Sequence, residues 1–252
     1  MNVDSLMRQY GEKVYNIAYH ILFDHHRAED AVQETFLNVH NNLEKFRGES
    51  GVYTWIYRIA VNCALKLAKK ENKVIQESMN ETIERDHQPI PTDLLPELQS
   101  EEGKFIIDDL VNDIRQKCHL FVTHRLSEER RVVFILRHVF HFSYQEIATI
   151  LEISENVVKV RLNRARDQLK AHYKDKCYWH NKNNSCKCAN KLGFVLAKYP
   201  QIIDEVKKRM PDSSFKKQLH ESLKHRDLSI ETIYEQFPMI KYQAKSIPSS
   251  QK

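Results

Sequence analysis

Glycine is scarce in this chain, with five in 252 residues. Runs alternating apolar and polar residues are also hard to find. Both shortages argue against strand-turn-strand folds and leave an all-α protein as the expectation. No run of about 18 apolar residues occurs, so no helical membrane span is expected. The first residues, MNVDSLMRQYGEKVY, lack an apolar secretory core and open on a helical pattern, which makes the expected location cytoplasmic. There is no Gly-rich phosphate loop, no nucleophile elbow and no His-x-Glu beside a Pro-Cys-x-x-Cys, so no enzyme is expected. The cysteines, Cys63, Cys118, Cys177, Cys186 and Cys188, are odd in number, which argues against a disulfide framework. Strong charge of either sign is missing too. A formal charge of +5 permits a nucleic-acid partner without demanding one.

What is present is concentrated between Ser143 and Leu169 (SYQEIATILEISENVVKVRLNRARDQL). Ser143 is placed to cap a short helix over Tyr144 to Leu151, Glu152-Ile153-Ser154 reads as a turn, and a second helix starts at Glu155. Val158, Leu162, Ala165 and Leu169 follow a four-three-four spacing, one buried stripe. Asn156, Lys159, Arg161, Asn163, Arg164 and Arg166 remain for the other face and are the candidate DNA contacts. Phosphates would supply affinity, and Arg or Asn would read base edges in the major groove. A solvated charged helix packed on a core has the same pattern.

Upstream, residues 1–71 read as one helical domain. Tyr10, Val14, Ile17, Ala18 and Ile21 form an apolar stripe, broken at Phe23-Asp24-His25-His26. A second helix carries Ala28, Val32, Thr35, Phe36, Val39 and Leu43, with Glu29, Asp30, Gln33 and Glu34 on its other face. After a loop with Gly48 and Gly51, a third helix from about Val52 to Lys70 buries Ile56, Ile59, Ala60 and Cys63. It shows Tyr53, Tyr57, Arg58, Asn62 and Lys66, a mixture of rings and cations that suits single-stranded nucleic acid, although such aromatics also serve as core. Residues 72–104 turn polar and proline-interrupted (Pro89, Pro91, Pro96) and read as a linker. Residues 105–173 form a second helical domain that ends in the helix-turn-helix.

Residues 174–252 extend beyond it. They open with Cys177, His180, Cys186 and Cys188 inside twelve positions, a candidate Cys₃His zinc set. The Cys-x-Cys half is tighter than the usual gap, and reduced structural thiols or a redox pair fit the same spacing. Short helical patterns follow, around Leu192–Tyr199, Ile202–Val206, Phe215–Leu223 and Ile230–Phe237, and the last ten residues read as disordered.

Together these segments resemble the extracytoplasmic-function branch of the bacterial sigma-70 factors. Asp24 to Leu37 (DHHRAEDAVQETFL) is similar to the region 2 helix that docks on RNA polymerase. Phe46-Arg47-Gly48 and Thr54 to Asn62 are similar to the segment that melts and reads the −10 element. Leu126 to Leu169 is similar to region 4, which reads the −35 element. The motifs span most of residues 1–173, in the family's order. The resemblance implies an alternative sigma factor that binds core RNA polymerase and promoter DNA and acts by binding. It implies polymerase contacts at Asp30, Gln33, Glu34 and Phe36, and capture of a flipped base by Arg47, Arg58 and Asn62. An anti-sigma partner is a further implication. No cofactor is required for this work, and Zn²⁺ enters only through the extension, which could hold the two DNA-binding domains inactive. A helix-turn-helix regulator that binds duplex DNA without polymerase is the alternative.

The chain departs from the family pattern in places. Glu152 stands where glycine is usual, and Val157 and Val160 stand where small polar residues are common. Cys118 lies in an apolar lead-in, Lys117 to Arg125, and reads as a buried small hydrophobe.

Overall fold

The computed structural model describes residues 2–46, 48, 51–68, 88–209, 229, 233–234 and 239–242. The described residues are all-α, with short 3₁₀ turns and one isolated bridge, Cys177 to Cys186. The chain divides into two compact units. One draws on residues within 1–74, 123–168 and 234–252, the other on residues within 75–122 and 169–233.

In the first unit, helix α1 spans Val3–Leu22, α2 His25–Asn42 and α3 Val52–Ala68. The Asn2 side chain accepts from the Asp4 N–H at 2.9 Å and opens α1. Phe23 closes it in the left-handed region, φ 55°. Asp24 then accepts from the Arg27 N–H at 2.9 Å, so α2 starts one residue past the break. Ile17, Ile21, Val32, Phe36, Ile56 and Ala60 are fully buried and make the three-helix core. Tyr57 is buried at 4% exposure, against the expectation that it faces outward. Its ring is needed to fill space beside Tyr10, edge-on at 6.1 Å.

The same unit contains α6 (Glu128–His138), α7 (Tyr144–Leu151) and the first part of α8 (Glu155–Lys176). Ser143 and Glu146 complete a reciprocal capping box: Ser143 N–H donates to Glu146 at 2.7 Å and Glu146 N–H donates to Ser143 at 3.1 Å. Glu152 takes φ 54° at the turn, and its N–H reaches back to Ala148. A side chain in that region costs about 1 kcal/mol relative to glycine. Val158, Leu162, Ala165 and Leu169 are all fully buried, as their spacing requires.

In the second unit, a short helix α4 (Leu95–Leu98) leads into α5 (Glu101–Thr123), which begins four residues before the expected start at Phe105. Leu98, Ile106 and Leu110 share one apolar core with Leu192, Leu196, Ile203 and Val206. The last four come from α9 (Leu192–Lys198) and α10 (Ile202–Arg209). The described end of the polar segment and the start of the extension therefore fold on each other. Gly193 permits this: a Cβ there would lie 1.7 Å from the Gln88 carbonyl oxygen. The expected helices over Phe215–Leu223 and Ile230–Phe237, and the last ten residues, lie wholly or largely outside the described residues.

Candidate nucleic-acid interface

The recognition helix α8 presents its polar face as the sequence implies. Asn156, Lys159, Asn163 and Arg164 are exposed. Val157 and Val160 stand among them at 37% and 41% exposure, so the helix offers apolar contacts within a polar field. Arg161 pairs with Glu129 at 2.8 Å, and Arg166 bonds Asn163 and His138 at 3.5 and 3.4 Å. Both arginines are thus steered by neighbours at the base of the helix. A shallow groove of about 360 Å³ runs between Ser127, Arg130 and the face of Asn156, Val160 and Arg164.

Behind this surface, Arg131 is 2% exposed. Its Nη1 meets His124 Nδ1 at 2.7 Å, while Nε and Nη2 have no partner among the described residues. Burial and the neighbouring guanidinium push the His124 pKa down to about 3, so the imidazole is neutral.

On α3, Asn62 is exposed and lines an open groove of about 520 Å³ with Trp55, Lys66, Lys45, Asn38 and Glu34. Phe46 packs on Trp55, ring centroids 5.0 Å apart. Arg47 lies outside the described residues. Arg58 is engaged. Its Nη1 donates to Glu152 at 2.8 Å and its Nη2 to the Thr149 carbonyl at 2.9 Å. One turn back, the Tyr53 hydroxyl donates to Glu146 at 3.1 Å. Glu146 thus serves its own cap and a second helix, and the donors, chiefly the Ser143 N–H, hold its pKa below the ordinary carboxylate value. Beneath them Lys13 lies 4.5 Å from the Phe142 ring centroid, its pKa lowered by burial. Residues of the two DNA-reading segments therefore bond each other directly.

The far end of the chain is fixed on the same unit. Asn16, 1% exposed, donates to the Ile240 carbonyl at 2.9 Å and accepts from the Ile240 N–H at 2.7 Å. Tyr242 stacks on Tyr15 at 4.2 Å, and Tyr234 meets Phe134 edge-on at 4.7 Å. These residues touch both α1 and α6.

On α2, Asp30 and Gln33 are exposed, and Glu34 pairs with Lys66 at 2.9 Å. Phe36 corrects an expectation: it is fully buried in the three-helix core and cannot face polymerase. It sits on the stripe with Val32 and Val39, whereas Leu37, one position on, is 45% exposed and is the apolar group on that surface.

In the extension, Cys177, Cys186 and Cys188 are half-buried and lie in no disulfide. His180 has a buried Nε2 with no hydrogen-bond partner among the described residues. Its ring stacks on Tyr173 at 4.7 Å and 16°. Burial, and then the neighbouring cysteines, push the Cys118 thiol of α5 up. No group of three or more His, Cys, Asp or Glu side chains that could hold a metal ion occurs among the described residues.

Sequence reasoning placed Tyr53 on the aromatic-basic face and missed Glu146 as its partner. Only Glu146 carried a local signal, the capping box, and that signal concerns its own helix.

Two family models match this chain: sigma-70 region 2 over residues 6–74, and sigma-70 region 4 over residues 122–169. The RNA polymerase sigma-H factor of Pseudomonas aeruginosa is 28% identical over 171 residues, 66% of this chain and 83% of that protein. The ECF RNA polymerase sigma factor SigW of Bacillus subtilis is 29% identical over 170 residues, 66% of this chain and 86% of the relative. The ECF RNA polymerase sigma-E factor of Escherichia coli is 31% identical over 140 residues, 56% of this chain and 70% of the relative. With its helices in that order, its capped helix-turn-helix and these matches, the chain belongs to the ECF RNA polymerase sigma factors of the sigma-70 family.

Proposed function

We propose that this alternative sigma factor rests in a closed, promoter-free state and is opened when core RNA polymerase and promoter DNA take over its contacts. As a sigma factor the chain directs promoter-specific initiation. It works in the cytoplasm and by binding, without a catalytic step of its own. Asp30, Gln33 and Leu37 are the polymerase-facing set. Arg58, Asn62 and the Trp55 groove take the −10 strand, where a ring and amides suit an extruded base. Asn156, Val157, Lys159, Val160, Asn163 and Arg164 take the −35 duplex, with the valines reading thymine methyls.

One observation carries this reading: the guanidinium expected to read the −10 element is already bonded to Glu152 and Thr149 of the −35 module. The elements lie roughly 25 base pairs apart, about 85 Å at 3.4 Å per step. Modules joined by side-chain bonds of 2.8 to 3.1 Å cannot occupy both sites. The exposed Arg58–Glu152 pair itself contributes only about 0–1 kcal/mol, so closure is reversible and salt-sensitive. Tyr234 on α6, with Ile240 and Tyr242 on α1, gives the extension a hold on both modules.

The test is a Tyr53→Phe, Glu152→Ala double variant. Without polymerase it should bind a single-stranded −10 probe several-fold more tightly than the parent, and the gap should shrink in high salt. Equal affinities at low salt would sink the proposal.

A further inference from the structure

We propose that Cys177 and Cys186 form a redox pair, whose two thiols a hydroperoxide converts into one reversible disulfide where the recognition helix ends. The pair is a covalent modification site in the extension, separate from the promoter and polymerase contacts and independent of the closed state.

The backbone supplies the geometry. Cys177 and Cys186 face each other across the isolated parallel bridge, and the Tyr178 N–H donates to the Cys186 carbonyl at 3.2 Å. Backbones paired in this way run about 4.8 Å apart, with the two paired side chains on one face. A disulfide spans Cα atoms roughly 4.4–6.8 Å apart, so this pair closes without a backbone rearrangement. The turn between the two cysteines is already held by its own bonds. The N–H groups of His180 and Asn181 donate to the Cys177 carbonyl at 3.1 and 3.0 Å, and the Asn184 side-chain amide donates to it at 3.1 Å. The Cys177 N–H still donates to the Tyr173 carbonyl at 2.9 Å, as the last bond of α8. Oxidation therefore ties the end of α8 to the lead-in of α9.

Other pairings fit less well. Lys187 is extended, φ −105° and ψ 136°. The Cα atoms of Cys186 and Cys188 then lie about 6.6 Å apart, at the outer limit of a disulfide. Burial also pushes the Cys188 thiol up to about 12, so it stays protonated near neutral pH. Cys63 is buried in the three-helix core. Cys177 and Cys186 are half-buried, within reach of a small oxidant. The Lys182 and Lys187 ammonium groups lie 4.4 and 4.6 Å from the ring centroid of Tyr178, the residue after Cys177. They bring positive charge near the oxygen that departs as an anion.

The chemistry balances with the hydroperoxide as sole oxidant. One thiolate attacks it, an S–O bond forms and the O–O bond breaks. The products are a sulfenic acid and an alkoxide that takes up the first thiol's proton. The second sulfur then attacks the sulfenic sulfur. The S–S bond forms, the S–O bond breaks, and the hydroxyl leaves as water with the second thiol's proton. Two thiols and ROOH thus give a disulfide, ROH and water, the sulfurs losing two electrons to the peroxide oxygens. A dithiol reverses the bond by exchange.

The test treats the full chain, reduced and then desalted, with hydrogen peroxide, alkylates the remaining thiols and digests with trypsin. Cleavage after Lys176, Lys182, Lys187 and Lys191 puts Cys177, Cys186 and Cys188 on three separate peptides, so mass spectrometry reads each pairing. The expected product is a Cys177–Cys186 cross-link, two hydrogens lighter than the summed reduced peptides and removed by dithiothreitol. It should exceed every other pairing roughly tenfold or more, and Cys118→Ser and Cys188→Ser should each retain it. Far-UV circular dichroism of the parent should be unchanged by oxidation. A folded parent that yields no such cross-link, or that links Cys188 in place of either cysteine, would overturn the pair. So would loss of the cross-link in a folded Cys188→Ser variant, or loss of helical signal on oxidation, which would mean that the bond forms only in an unfolded chain.

Discussion

At the residue scale, Glu152 is asked to do two incompatible things. Its backbone sits at φ 54°, where glycine is cheaper, and its carboxylate holds Arg58. Glu152→Gly should therefore leave the melting temperature nearly unchanged, since about 1 kcal/mol of relieved strain offsets a lost exposed pair worth 0–1 kcal/mol. Calorimetry checks this; a loss of several degrees would mean the pair is stronger than an exposed pair ought to be. Phe36 and its neighbour Leu37 give the opposite contrast. Phe36→Ala opens a cavity in a fully buried site and should cost about 3–5 kcal/mol in denaturant unfolding. Leu37→Ala, at an exposed site, should leave stability within about 0.5 kcal/mol and weaken binding to core polymerase. On the recognition helix, Val160→Ala should relax preference at one base pair, by about 1–3 kcal/mol if the valine meets a thymine methyl. Selection from randomised −35 duplexes reads that directly.

At the scale of elements, the local signals were legible and the long-range ones were not. The Ser143 capping box, the left-handed Glu152 turn and the Val158-Leu162-Ala165-Leu169 stripe each reside within a few residues, so spacing alone located them. The Tyr53–Glu146 bond joins residues 93 apart and Arg58–Glu152 residues 94 apart, and nothing near either end marks the partner. Phe36 was readable from its stripe, and its assignment to a polymerase contact came from a resemblance that tracks segments better than side-chain directions. The helices also carry a pH dependence. Burial depresses His20 to about 4, and it packs edge-on against Phe140 at 5.7 Å. The unfolded chain, with its histidines near 6.5, takes up protons that the folded chain refuses. Stability is therefore complete above about pH 6.5 and is lost as pH falls toward 4. At pH 5, His20 alone should account for about 2 kcal/mol relative to pH 7. His20→Gln should flatten the slope of melting temperature between pH 6.5 and 5; an unchanged slope would assign it elsewhere.

At the scale of the whole molecule, a two-ended promoter reader must keep its ends from acting alone. In the closed state we propose, direct bonds between the −10 and −35 modules, with Tyr234 on α6 and Ile240 on α1, provide that restraint. The polar bonds that make the restraint are individually weak: one exposed ion pair, anchored on one left-handed glutamate. Truncation after Ile233 should shift the balance toward the open state and raise polymerase-free DNA binding. The most direct test of the closed state is the distance between fluorophores at Gln33 and Asn163, measured by energy transfer in the free chain and in the polymerase–promoter complex. A short distance in the free chain that lengthens by tens of ångströms in the complex is the result expected; the same distance in both would contradict the account.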